Sequence, residues 1–199
     1  MKAGPTLTLI AGLFAAATHL HAEAPCLRAD DPIVANLVTH GLGASDTFRR
    51  LYQRLEGSNL IVHLRRGTRL PAGSGYNQFV TYAGSYRFLR ITLNVDRVND
   101  DAVALLGHEL RHAVELAEAP GVNDDGDYQR LYDRIGYLSC ARVSARCYET
   151  QAAVTAGRDV LRELRNKPIG VGPAISAAHL LRRWLAQAGG WSAEASQMP

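Results

Sequence analysis

The chain has 199 residues, of which 47% are hydrophobic and 21% charged. A chain of this length and composition can bury a real core in one soluble globular domain, which excludes a disordered polymer. The formal net charge of +3 is small and not gathered into a basic run, so nothing points to nucleic acid as a partner.

The first residues read as an export signal. Lys2 supplies a minimal positive region, Leu7 to Leu20 an apolar one, and Leu20-His21-Ala22 or Ala22-Glu23-Ala24 a small-residue cleavage site. The first site is favoured, because the second would leave Pro25 at the new terminus. The expected organisation is a signal peptide over 1–22, a single domain over 23–188 and a loose tail over 189–199. The mature protein would then be periplasmic or secreted, with no stable membrane insertion. An uncleaved anchor is the alternative, although the apolar stretch is short and Ala-rich for a span. Cys26 is not preceded by a lipobox-like Leu-Ala-Gly, which argues against a lipoprotein. In an oxidising compartment two of Cys26, Cys140 and Cys147 could bridge. Cys140 with Cys147 is the local option, whereas Cys26 with either would staple the N-terminal region to the C-terminal half.

Along the chain, Asp31 to Val38 reads as a short helix or turn ended by Gly41-Leu42-Gly43, and Ser45 caps a helix over Asp46 to Leu55. Asn59 to Leu64 reads as a strand. Gln78 to Tyr82 and Tyr86 to Val95 read as two more, joined by the hairpin signal Ala83-Gly84-Ser85. In the last of these, Leu89, Ile91, Leu93 and Val95 alternate with Arg90, Thr92 and Asn94, so one face is buried and one is wet. Asp100 to Glu118 reads as a long helix, with Asn99 as N-cap, Asp100 and Asp101 in the first turn and Ala119-Pro120-Gly121 as the stop. Asp124 to Gly136 is a polar connection with a short helix. Cys147 to Leu164 reads as a further long helix and Ile175 to Ala188 as the last.

The long helix carries His108-Glu109-Leu110-Arg111-His112. Positions i and i+4 stack on one helix face, so two imidazoles at this spacing can grip one Zn²⁺ while the glutamate between them holds a proton beside the metal. A solvated face on which these residues merely coincide is the bland alternative. The motif and the element order resemble the zincin metallopeptidase superfamily of exported bacterial-type enzymes. That resemblance spans about Ser45 to Leu164. It implies an α+β fold in which a small antiparallel or mixed sheet packs against the motif helix, with further helices C-terminal.

A catalytic zinc takes three protein ligands and keeps a fourth position open. The metzincin pattern is absent, because Glu115 stands where it needs Gly and Glu118 where it needs the third His. The chain is closer to the gluzincin pattern, in which a later glutamate completes the site. Glu149 is the choice, placed on the core-facing stripe with Ala153, Ala156, Val160 and Leu164, where a bare carboxylate is costly. A solvated Glu at a helix N-terminus is the alternative role, and Asp124, Asp125 and Asp127 are alternative ligands. Glu115 shares the face of both histidines and would orient an imidazole N–H, act as a ligand itself, or pair with Arg111.

The resemblance implies Glu109 as general base and a Tyr or His that steadies the oxyanion, from His179, Tyr148, Tyr137 and Tyr132. His40 and His63 look like ordinary loop and strand residues. The implied activity is hydrolysis of peptide or other amide bonds. Its substrate would be a peptide or protein lying as an added strand on the Gln78–Val95 hairpin. A non-catalytic zincin-fold binding or structural module of the cell envelope is the competing reading. No feature of the sequence sets an oligomeric state.

Overall fold

The computed structural model describes residues 26–139, 147–166, 180–182 and 184–185. The expected signal peptide and tail, Cys140 and His179 lie outside the described residues. So does most of the last expected helix, of which 180–182 and 184–185 are helical.

The chain enters as a short strand, β1 (Leu27–Ala29), and then α1 (Pro32–Ala44). Asp31 starts α1 by accepting from the Ile33 amide at 2.8 Å, with Pro32 in the first turn. The helix runs through Gly41-Leu42-Gly43, where the sequence suggested a break. Gly41 is buried because the Phe48 ring occupies the space of a side chain: a Cβ there would lie 2.5 Å from the ring. This glycine serves a close approach, not a stop. Ser45 caps α2 (Asp46–Glu56), its hydroxyl accepting from the Phe48 amide at 3.0 Å.

Three further strands follow: β2 (Leu60–Arg66), β3 (Gly75–Ala83) and β4 (Tyr86–Leu93). They form one sheet in the order β1-β2-β4-β3. β1, β2 and β4 run parallel, and only the β3–β4 hairpin is antiparallel, so the sheet is mixed and the few antiparallel strands expected reduce to one hairpin. Gly84, at φ +60, makes the hairpin turn. The apolar half of the expected alternation in β4 holds, with Leu89, Ile91 and Leu93 fully buried, but the opposite face is not uniformly wet, since Thr92 is buried too, and the strand ends at Leu93, before Val95. Their face carries the helices, led by α3 (Asp100–Ala117), which packs against β3, α1 and α2. The chain ends its described course with α4 (Asp125–Ile135), the paired strands β5 (Tyr137–Leu138) and β6 (Tyr148–Glu149), and α5 (Gln151–Arg165). The architecture is α and β mixed, with one small mixed sheet backed by helices, as an α+β class requires.

Two charged side chains, Arg87 buried and Glu163 half-buried, tie these layers together. Arg87 of β4 is 1% exposed. Its guanidinium donates to the carbonyls of Leu116, Ala117 and Ala119 at the end of α3, and twice to Asn59 Oδ1. It thus satisfies the orphan carbonyls of the helix C-terminus, where a cation also suits the dipole. Glu163 of α5 accepts from the Ser45 hydroxyl, the Thr47 amide and the Thr47 hydroxyl at the start of α2. Burial would raise this carboxyl's pKa, but those hydrogen bonds hold it below the ordinary value.

Arg87→Leu leaves several buried carbonyls unpaired and should destabilise the protein by about 3 kcal/mol. Urea unfolding of the two proteins checks this, and an unchanged midpoint would remove Arg87 from the framework.

Candidate metal centre

His108 and His112 lie one turn apart on α3, their ring centroids 5.1 Å apart. Glu149 joins them, but not from a helix. The sequence put Glu149 inside a helix beginning at Cys147; α5 begins at Gln151, and Glu149 closes β6, paired with Tyr137 of β5. The reason is Thr150, whose hydroxyl accepts from the Ala153 amide at 3.1 Å and so caps α5. Glu149 is therefore held by a strand register and by its own contact with the Thr150 amide (2.8 Å to Oε1), not by a core-facing stripe.

The two helices approach closely enough for this to work because of two glycines. A Cβ at Gly107 would lie 2.8 Å from Val160, and one at Gly157 3.1 Å from His108 Cβ. The packed pair α3–α5 delivers Glu149 to the histidines: His108 Nε2 is 3.2 Å from Glu149 Oε2, and His112 Nε2 is 3.3 Å from Oε1. One donor atom from each of the three lies within 4.8 Å of the others. Two imidazoles and a carboxylate converging this way are a donor set suited to a divalent metal such as zinc.

Glu115 stands behind them. Its Oε2 is 2.9 Å from His112 Nδ1, and its Oε1 accepts from the Thr150 hydroxyl at 2.7 Å. Arg111 is further off, at 3.6 Å. Of the roles open to Glu115, orientation of an imidazole is the one the geometry displays, which leaves His112 Nε2 turned toward Glu149.

Glu109 is 4% exposed. Asn77 of β3 donates through Nδ2 to its carboxylate and, at 3.3 Å, to its backbone carbonyl. A Cβ at Gly75 would lie 2.7 Å from Glu109 Oε1, so the edge strand passes against the carboxylate. Burial pushes the Glu109 carboxyl up to about 7, against the His112 charge and the Asn77 hydrogen bond. Burial alone would lower His112, but Glu115 and Glu149 outweigh it and raise the imidazole to about 9. His108 moves down through burial, which the Glu149 charge only partly offsets.

The other candidates lie elsewhere. The Tyr132 hydroxyl donates to the His112 carbonyl at 3.1 Å, and the Tyr148 hydroxyl to Asp133. Tyr137 is half exposed on β5. Asp124 caps α4, and Asp127 accepts from Asn123 and Arg130; neither joins the histidines, nor does Asp125. His40 faces Asp100 at 3.9 Å, and His63 lies on β2. Cys26 is a buried thiol and Cys147 is disulfide-bonded, so the bridge that would have stapled Cys26 to the C-terminal half is not the one formed. Cavities of 810 and 710 Å³ share Arg111, Gln151 and Ala152, but neither is lined by His108, Glu109, His112 or Glu149.

Asn77, Gly75, Gly107, Gly157 and Thr150 were not singled out from sequence as parts of the site. Only Thr150 carried a readable signal, a threonine directly before an apolar helical run. No family model, curated protein or solved structure matches this chain.

A raised imidazole favours the fold while it stays protonated. With chelator present, the contribution of His112 is complete below pH 6.5 and is lost as pH rises through about 9. Stability of the chelator-treated protein should fall between pH 7 and 9, and His112→Gln should flatten that fall. A profile unchanged by the substitution would overturn the electrostatic account of His112.

Proposed function

We propose that the protein is an exported, zinc-dependent metallopeptidase-like hydrolase of peptide or other amide bonds, with a zincin-like arrangement of the gluzincin kind. The observation that carries this reading is the meeting of Glu149 with both motif histidines, with His108 at 3.2 Å across 41 residues of chain and with His112 at 3.3 Å across 37. His108, His112 and Glu149 would hold the metal. When bound, zinc would acidify a water and polarise the scissile carbonyl.

The chain's own groups have separate tasks. Glu115 holds the His112 tautomer that presents Nε2. Glu109, beside the ligands but not among the three converging donors, would take a proton from the attacking water and return it to the leaving amine. Asn77 fixes the carboxylate's direction from the edge strand. The outer edge of β3, with Tyr76, Val80 and Tyr82 exposed, would take an extended peptide as an added strand. No helix among the described residues is long and apolar enough to cross a membrane. Periplasmic or secreted placement rests on the first 22 residues of the sequence.

Elemental analysis of the purified protein should find about one zinc per chain, lost in His112→Ala and in Glu149→Ala. Glu109→Gln should keep the zinc and lose hydrolysis of a casein or peptide-library substrate by about 10²-fold or more. Zinc retained with no hydrolysis in the natural sequence would favour the non-catalytic envelope module. No metal after zinc is supplied would end both metal readings. Glu115→Ala should still bind zinc but with about 10- to 100-fold weaker affinity, measured by competition with a chelating dye. Unchanged affinity would show that Glu115 does not support the ligand.

A further inference from the structure

The sheet has a second face, turned away from the buried side chains of β2 and β4. Cross-strand partners share a face, so the register places Arg28, His63, Arg90 and Gln78 in one row across all four strands. Arg65 lies two residues along β2 from His63 and on the same side. Consecutive arginines 65 and 66 differ in their fate. Arg66 pairs with Asp31 at 2.9 Å, whereas Arg65 has no ion pair among the described residues. Among the described residues Arg90 hydrogen-bonds only Gln78, at 3.5 Å.

Arg28 and Arg90 thus flank His63 across three strands, and Arg65 adds a third cation on the same face. Here the row borders a pocket of 390 Å³, lined by Asp30, His63, Arg65, Arg90, Phe88 and, from β3, Val80, Thr81 and Ala83. The register shift between Phe79 and Thr81 makes Val80 a bulge residue, which brings both Val80 and Thr81 to the pocket. The His63 ring lies 6.3 Å from Phe88. Burial, then Arg28 and Arg90, keep the imidazole below its ordinary value against Asp30. His63 is therefore a neutral donor between two cations, with one apolar wall of Phe88, Val80 and Ala83.

We propose that this pocket binds an oxyanion, phosphate or carboxylate, carried on a short apolar group. The cationic side would take the anion through Arg65 and Arg90, with the Thr81 hydroxyl and His63 as neutral donors, and the apolar wall would take the attached group. The inference does not rest on the metal reading, since none of these residues belongs to the metal centre.

Titration of phenyl phosphate, benzoate and inorganic phosphate into the isotope-labelled protein, followed at the His63 ring signals by NMR, tests it. At least one of the two organic anions should shift the signals saturably with Kd below about 1 mM, and the comparison between them identifies the headgroup. Inorganic phosphate, without the apolar group, should bind about tenfold more weakly. Arg65→Gln, alone and with Arg90→Gln, should weaken binding at least about tenfold, while Arg158→Gln, an equal loss of charge on α5, leaves it unchanged. No saturable shift with either organic anion, inorganic phosphate bound as tightly as they are, or full binding in Arg65→Gln would overturn the proposal.

Discussion

The carboxylate of Glu115 is the constraint on which the rest of the centre depends. One of its oxygens reaches His112 Nδ1 and the other the Thr150 hydroxyl. Thr150 is at once the cap of α5 and the neighbour of Glu149, so a single buried side chain couples the orientation of an imidazole to the start of another helix. A buried carboxylate with unfilled lone pairs costs several kcal/mol, of the order that makes such groups rare. Glu115 escapes most of that cost because both oxygens have partners. The same two contacts make it poorly placed to serve as a ligand, since it faces Nδ1 rather than the open side of the ring.

This local arrangement needs a frame that brings α3 and α5 within reach of each other. Gly107 and Gly157 permit the approach, and Glu163 fixes the far end of α5 to the start of α2. Arg87 performs the matching task for α3, binding the end of the helix to the sheet. The histidines are thus held between two anchored helices rather than on one. Precision of a few tenths of an ångström in donor placement comes from packing of this kind, not from the helical repeat alone.

Much of this was legible in the sequence, for identifiable reasons. The alternation of Leu89, Ile91 and Leu93 has a period that only a half-buried strand satisfies, and the caps Ser45 and Asn99 act through contacts three residues away. His108 and His112 share a face by helical geometry, whatever surrounds them. The misreadings fall where a residue's role depends on distant chain. Gly41 looked like a break because its partner, the Phe48 ring, is seven residues on in another helix. Glu149 looked helical because apolar periodicity extends backward past a cap as easily as forward. Asn77 gave no sign of its contact with Glu109, since nothing local to a strand reports which helix crosses beneath it. The parallel pairing of β2 with β4 was hidden for the same reason.

The edge strand shows where local rules give way. Asn77 donates to Glu109, yet its own Oδ1 is buried with no hydrogen-bond partner among the described residues, and Gly75 sits where a side chain would strengthen the strand. An orphan acceptor of this kind costs about 1–3 kcal/mol. A sequence selected only for stability would repair both, for instance with a β-branched residue at 75 and an apolar one at 77. Either repair would press on the Glu109 carboxylate or strip its orienting donor. Glu109 is itself held in a setting that raises its carboxyl to about 7, an expensive position for a group with no task. Three departures from the stable choice, gathered on one carboxylate beside two convergent imidazoles, have a common explanation if that carboxylate must exchange a proton.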